Sequence, residues 1–188
     1  MSSAAKRAEL RGTGVIIRAA ILASATAALA YLAFPLPFSP VPITGQSFGA
    51  MIAGLLLPPG AAMGSQLAYL LAGAMGLPVY AGGRAGIGVL FGPTGGYLWG
   101  LAAGSYVTSA IVESGTRRAQ IPTTSRCIAA SIVGGVVILY ALGVVQLALT
   151  ARFSWPQALV VGALPYLPGD VVKASVAGIV GARLMRYR

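Results

Sequence analysis

The apolar positions of this chain come in long runs, and the polar breaks between the runs are few. No charged residue occurs among the 65 positions between Arg18 and Arg84, the 28 between Arg84 and Glu113, or the 25 between Arg126 and Arg152. A helix crosses a bilayer with about 20 apolar residues. The first window therefore has room for at least two spans and each of the others for about one. Local breakers divide the chain further, and six spans result. The first covers 15–34, after which Pro35, Pro37, Pro40 and Pro42 enforce an extended segment that cannot be helical. A short second span covers 44–57, the Pro58-Pro59-Gly60 turn follows, and the third covers 61–77. A glycine-rich connection over 78–95 leads to the fourth span, 96–113, and a polar loop holding Arg117 and Arg118 leads to the fifth, 126–149. A loop over 150–164 contains a short apolar segment, and the last span begins near 165–168 and ends before Arg183. The expected fold class is an all-α integral membrane protein, a bundle of six transmembrane helices with both termini cytoplasmic. Residues 15–183 form its substrate-binding domain between short cytoplasmic tails at 1–14 and 184–188.

Composition agrees. Residues are 57% hydrophobic and 9% charged, with a mean hydropathy of +0.83, where a soluble domain carries charge at about a quarter of its positions. The net charge of +10 would suit nucleic acid, but ten of the thirteen basic residues lie at the termini or in one loop, beside predicted spans. With six spans, one side of the membrane receives Lys6, Arg7, Arg11, Arg18, Arg117, Arg118, Arg126, Arg183, Arg186 and Arg188, and the other only Arg84 and Arg152. That asymmetry places both termini in the cytoplasm of a multi-pass cell-membrane protein, in contact with lipid and not nucleic acid. The basic N-terminus and the small residues Ala28 and Ala30 also imitate a signal peptide; the membrane-like chain that follows favours a first spanning helix.

Small residues recur every four positions at Gly96, Gly100 and Gly104, at Gly45 and Gly49, at Gly60 and Gly64, and at Ala19, Ala23 and Ala27. This spacing lets helix backbones touch where no hydrophobic force drives association in lipid. The glycines read as internal packing, while the alanine stripe reads either as packing or as a docking face for a partner protein.

The chemistry-bearing residues are few. With no His and a single Cys, Cys127, the chain has no histidine base, no histidine metal site and no internal disulfide. Neither Lys6 nor Lys173 lies in a P-loop, so the chain does not hydrolyse ATP by that route. Asp170 is the only Asp, and Lys173 lies three residues on, which puts both on one helical face. Lys173 precedes Arg183 by ten residues, or about 15 Å of helix, which is near the middle of a hydrocarbon core about 30 Å thick. Ionisable groups at that depth face a cavity or a partner; the bland account is a self-satisfied ion pair. Arg84 is the lone charge in a stretch with Gly82, Gly83, Gly86 and Gly88, where the backbone can approach a ligand closely and the guanidinium fork matches a carboxylate. It can equally be an exposed headgroup-level arginine. Thr44 and Gln46 read as ligand contacts at the outer mouth or as helix caps, Gln66 and Tyr69 as pocket lining or packing, Tyr80 as a pocket residue or part of an aromatic belt, and Tyr97 as part of that belt.

Several segments resemble one family. They are Pro40-Val41-Pro42-Ile43-Thr44-Gly45-Gln46, Gly54-Leu55-Leu56-Leu57, Gly76-Leu77-Pro78-Val79-Tyr80-Ala81-Gly82-Gly83, Gly92-Pro93-Thr94-Gly95-Gly96-Tyr97-Leu98, and Leu164-Pro165-Tyr166-Leu167-Pro168-Gly169-Asp170-Val171-Val172-Lys173. Their order and spacing resemble the BioY family, the biotin-binding S components of energy-coupling factor (ECF) transporters. The resemblance covers about residues 15–183 and implies six helices, cytoplasmic termini, an outward-facing biotin pocket and a lid over 35–45. It implies no cofactor: biotin is the transported ligand, and ATP is used only by partners, namely a transmembrane coupling subunit and two ATP-binding cassette ATPases. It makes Asp170, Lys173 and Arg84 ligand residues, with Thr44, Gln46, Gly83, Tyr80 and Tyr69 around them, and Ala19, Ala23 and Ala27 the docking stripe. One position departs, since the third span reads Ala68-Tyr69-Leu70 where the family pattern leads one to expect a polar residue, often Asn. Biotin chemistry fits: Asp170 can accept the ureido N–H groups, Lys173 can donate to the ureido oxygen and Arg84 can pair with the carboxylate, with the reverse orientation open. An S component for another vitamin and a stand-alone facilitator without partners remain alternatives.

Overall fold

The computed structural model describes residues 3–116 and 121–186. Arg117, Arg118 and Arg188 of the charge argument lie outside the described residues, as do the side chains of Lys6, Arg7 and Arg11. In chain order the elements are α1 (Ser3–Ala30), strands β1 (Ala33–Leu36) and β2 (Ser39–Thr44), α2 (Gln46–Leu56), α3 (Pro59–Ala74), a 3₁₀ turn (Ala81–Gly83), α4 (Ile87–Phe91) and α5 (Gly95–Thr116). Then come α6 (Thr124–Ile132), a π-helical turn (Val133–Ile138), α7 (Leu139–Ala151), α8 (Trp155–Gly162) and α9 (Leu167–Arg186). Helices α6 and α7 join through the π turn into one rod, and α8 meets α9 at a 55° bend. Among the described residues, Gly12–Ala30 and Thr124–Ala151 are each long and apolar enough to cross a membrane, and the bent pair α8–α9 makes a third such unit.

Helices lie in each of the six expected segments, although only these three units are long and apolar enough to cross a membrane, and their bounds differ from those expected. The first helix stops at Ala30, four residues before its expected end, because Ala33 and Phe34 pair with Thr44 and Ile43 in an antiparallel hairpin. The prolines after Phe34 exclude helix but tolerate an edge strand. The third helix stops at Ala74, and Gly76 follows with φ +101°, a conformation that glycine adopts freely just past a helix end. The expected tail boundaries at 14 and 183 fall inside α1 and α9. Helix α2 has 11 residues, about 16 Å at the usual rise, so it covers only half a bilayer. Eight of those residues are buried, because α2 is the central helix, packed against α1, α3, α5 and α9.

The glycines decide how close the helices come. A methyl group added at Gly96 would lie 2.3 Å from Leu142 O, one at Gly100 2.9 Å from Leu139 Cα, and one at Gly104 2.3 Å from Gly134 O. The whole stripe on α5 is therefore the seat for the π turn and α7. Gly45 and Gly49 likewise seat α2 on Leu29 and Thr26 of α1. The pair Gly60 and Gly64 does not pack at all, since no atom lies within 4 Å of an added methyl at either position.

The alanine stripe expected to dock a partner faces inward. Ala23 is buried, Ala27 packs on the main core, and Ala19 packs on the cluster of Ala53, Leu57 and Ala62. The exposed small residues of α1 lie one position on, at Ala20, Ser24 and Ala28. Spacing alone could not choose between these stripes, because α1 carries small residues on both faces.

Replacing Gly96 by Ala should destabilise the protein by about 1–3 kcal/mol through overpacking. Gly64→Ala should be neutral or stabilising by up to about 1 kcal/mol through helix propensity. Thermal unfolding in detergent reads both, and a Gly96→Ala protein as stable as wild type would refute the close α5–α7 seat.

Candidate functional site

The chain's two central charges meet where α9, α2 and the hairpin converge. Asp170 sits in the first turn of α9, after the bend that Pro165 and Pro168 favour, and it is 5% exposed. Lys173, one turn further on, bonds Asp170 Oδ1 at 2.7 Å. The same ammonium bonds the backbone oxygen of Thr44 at 2.7 Å and makes a longer contact of 3.4 Å to Ser47 Oγ. Ser47 Oγ in turn donates to Asp170 Oδ1 at 3.0 Å. The other carboxylate oxygen, Oδ2, accepts from the hydroxyl of Tyr140 on α7. One carboxylate thereby gathers α9, α2 and α7, and its partner lysine holds the end of β2.

Above this cluster lies a cavity of about 110 Å³. Its walls come from β2, the start of α2, the Tyr80–Arg84 turn, α5, α7 and the α8–α9 bend. Most of the wall is apolar, with Val41, Val89, Leu98, Leu101 and Leu139 among its residues, and a few polar groups converge on it. That combination is the usual build of a small-molecule site.

The structure brings Asp170, Lys173, Arg84, Thr44, Gln46 and Tyr80 together on this cavity. Tyr69 and Gly83 do not line it. The Tyr69 hydroxyl instead accepts from Gln46 Nε2 and donates to Val79 O at 3.0 Å, so its contact with the cavity runs through Gln46. Gly83 has φ +76° and helps turn the loop so that Arg84 faces the chamber. Thr44, expected at the outer mouth, places its backbone oxygen beside Lys173, whereas Gln46 faces Tyr69. The shortness of α2 explains this: its first turn lies about 16 Å along the helix from the Pro58 turn, the same depth that Lys173 has from Arg183. Tyr80 is fully buried, which excludes an aromatic-belt role; its hydroxyl donates to Leu70 O at 2.5 Å, and burial raises its pKa above the ordinary phenol value.

Arg84 differs from the deep charges. Its Nε donates to Ala81 O at 3.2 Å, and no acidic side chain pairs with it among the described residues. A guanidinium has five N–H donors, so most of its capacity is open at the cavity edge.

Sequence reasoning did not select Ser47, Tyr140 or Tyr166, and it weighed Tyr97 mainly as a belt residue. Tyr97 donates to Gly162 O at 2.8 Å and meets Tyr140 edge-to-face with ring centroids 6.0 Å apart. Tyr166 donates to Val41 O and ties the α8–α9 bend to the hairpin, as Ser39 does by donating to Val161 O at 3.0 Å. The available signal was composition: hydroxyl-bearing residues are sparse in the apolar runs, and several of those present line this chamber.

Comparison with known proteins gives a consistent answer. The family model for the BioY family matches residues 2–188. The biotin transporter BioY of Rhizobium etli is 41% identical over 176 residues, covering 90% of this chain and 92% of that protein. The biotin transporter BioY of Rhodobacter capsulatus is 38% identical over 169 residues, covering 83% and 84%. A crystal structure of the S component for biotin from an ECF-type ABC transporter superposes with a TM-score of 0.86 at 25% identity, covering 100% of this chain and 95% of that one. With nearly its whole length matched in sequence and fold, this chain belongs to the BioY family.

Proposed function

We propose that this chain is the biotin-binding membrane subunit of an ECF-type uptake system, a binding protein and not an enzyme, and that the chamber above Asp170 and Lys173 holds the vitamin. The observation that carries this reading is the division of polar groups between the two ends of one apolar chamber. At the deep end, Asp170 Oδ1 already takes two bonds and Oδ2 takes one. A carboxylate oxygen accepts about two, so Oδ2 keeps a position for a ureido N–H. Lys173 spends its three donors on Thr44, Asp170 and Ser47, and the 3.4 Å contact to Ser47 is the one that a ureido oxygen would displace. Its charge is offset by Asp170 at 2.7 Å, so a ligand carboxylate finds little attraction there. Arg84, with open donors and no acidic partner among the described residues, is the better match for that carboxylate. These assignments orient the ligand with its ring system deep and its carboxylate at Arg84. Equilibrium binding of labelled biotin to purified protein, with thiamin and riboflavin as competitors, tests the reading. Unlabelled biotin should displace the label and the other vitamins should not; displacement by thiamin and not by biotin would reject it.

The same reading assigns the partners: a transmembrane coupling subunit and two ATP-binding cassette ATPases supply the energy, since this chain lacks a P-loop. The chain spans a prokaryotic plasma membrane six times with both termini in the cytoplasm, and residues 15–183 make the substrate-binding domain. Docking then uses the exposed small-residue face of α1, Ala20, Ser24 and Ala28, where a partner helix can approach the backbone. Ser24→Leu should lower biotin uptake by cells that carry the partners while leaving binding to the purified subunit unchanged. Unimpaired uptake would remove this face from the docking surface.

A further inference from the structure

A second cavity of about 300 Å³ lies on the hairpin side of the first, bounded by β1, β2 and the Ala81–Arg84 turn. The two cavities share three wall residues, Pro42, Ala81 and Arg84. Pro42 and Ala81 are fixed, since one is ring-locked and the other ends at Cβ. Arg84 is the only one of the three with a long rotatable side chain, it is exposed, and the Nε bond to Ala81 O tethers it. The partition between the chambers is therefore movable at a single residue, and that residue is the group assigned to the ligand carboxylate.

We propose that the site also accepts biotin-class ligands whose carboxylate has been extended into an ester or amide, with the added tail passing Arg84 into the second cavity. This inference rests on the reading above, in which the ureido ring lies deep and the carboxylate reaches Arg84. Every charged or strongly hydrogen-bonding group at the deep end acts on the ring system, so the head contacts are the same for the acid and its conjugates. What a conjugate loses is the charge pairing with Arg84. Its extra atoms enter space bounded by Ala33, Pro35, Ser39 and Pro40, which carries no charge besides Arg84 and so sets no strict requirement on the tail.

Competition against labelled biotin on the purified full-length protein tests this, with biotin, its methyl ester and its lysine amide as competitors. The ester and the amide should both displace the label, about ten- to a hundredfold more weakly than biotin, the cost of one or two hydrogen bonds to a charged group. The amide should be no weaker than the ester despite its longer tail. In Arg84→Gln, a loop variant expected to fold normally, biotin should weaken by that factor while ester and amide hold, so that the three converge. If biotin displaces the label but the amide is weaker by more than about a thousandfold, the chamber closes over the carboxylate and the proposal is wrong, although the biotin reading stands. If the gap between acid and ester persists in Arg84→Gln, Arg84 is not the exit residue and the proposal is equally wrong. If biotin itself fails to displace the label, the underlying reading falls and takes this one with it.

Discussion

One ion pair placed near the middle of the bundle constrains most of this architecture. Asp170 is buried and Lys173 largely so, where an unpaired charge is costly, and their mutual bond does not satisfy a carboxylate with room for about four acceptances or an ammonium with three donors. The remainder comes from Ser47 at the start of α2, Tyr140 on α7 and the carbonyl of Thr44 at the end of β2. Satisfying the pair thus requires that the hairpin end deep, that α2 begin there, and that α7 present a tyrosine at the same level. The cavity is the space these requirements leave, and its polar end is built from the same atoms.

The other structural devices serve that convergence. Glycines on α5 let the rod of α6 and α7 approach to backbone contact. Within the rod the π turn corrects the phase. The buried positions run Cys127, Ala130, Ser131, Gly134, Gly135 and Val136, and then resume at Leu139, Tyr140, Gly143 and Val144. The π turn buries three adjacent residues, Gly134, Gly135 and Val136, where an α-helical face repeats every three or four positions. The π turn absorbs the extra residue, a use seen often near functional sites. At the far side of the chamber, Ser39 and Tyr166 fasten the hairpin to the α8–α9 bend, so the segment that closes the cavity is tied to the helix that carries its charges.

The sequence conveyed much of this, for physical reasons that can be named. The charge-free windows revealed helices because lipid tolerates so few charges, and Asp170 and Lys173 stood out because nothing else ionisable lies at that depth. The prolines over 35–42 announced extended backbone but not a hairpin, since pairing depends on a partner strand. Which face of α1 points out was not legible with small residues on both sides. The contact between Thr44 and Lys173 was not legible because the second segment was read as a full span, whereas α2 has only 11 residues. Tyr140 was hidden within an apolar run whose periodicity changes at the π turn, and no local residue pattern marks that change. Gly60 and Gly64 had the spacing of a packing motif, but no helix lies against them.

The central claim is that the buried pair both organises the fold and binds the ligand. The most direct measurement compares thermal stability and biotin affinity for Asp170→Asn, Lys173→Met and the double variant. Each single change leaves a largely buried charge without its partner and should cost several kcal/mol, of the order of 3, together with binding. The double variant leaves no charge behind, so stability should return while biotin affinity stays at least tenfold below wild type, the worth of about one charge-assisted bond. A double variant that binds biotin as tightly as wild type would make the pair a structural staple and contradict the account.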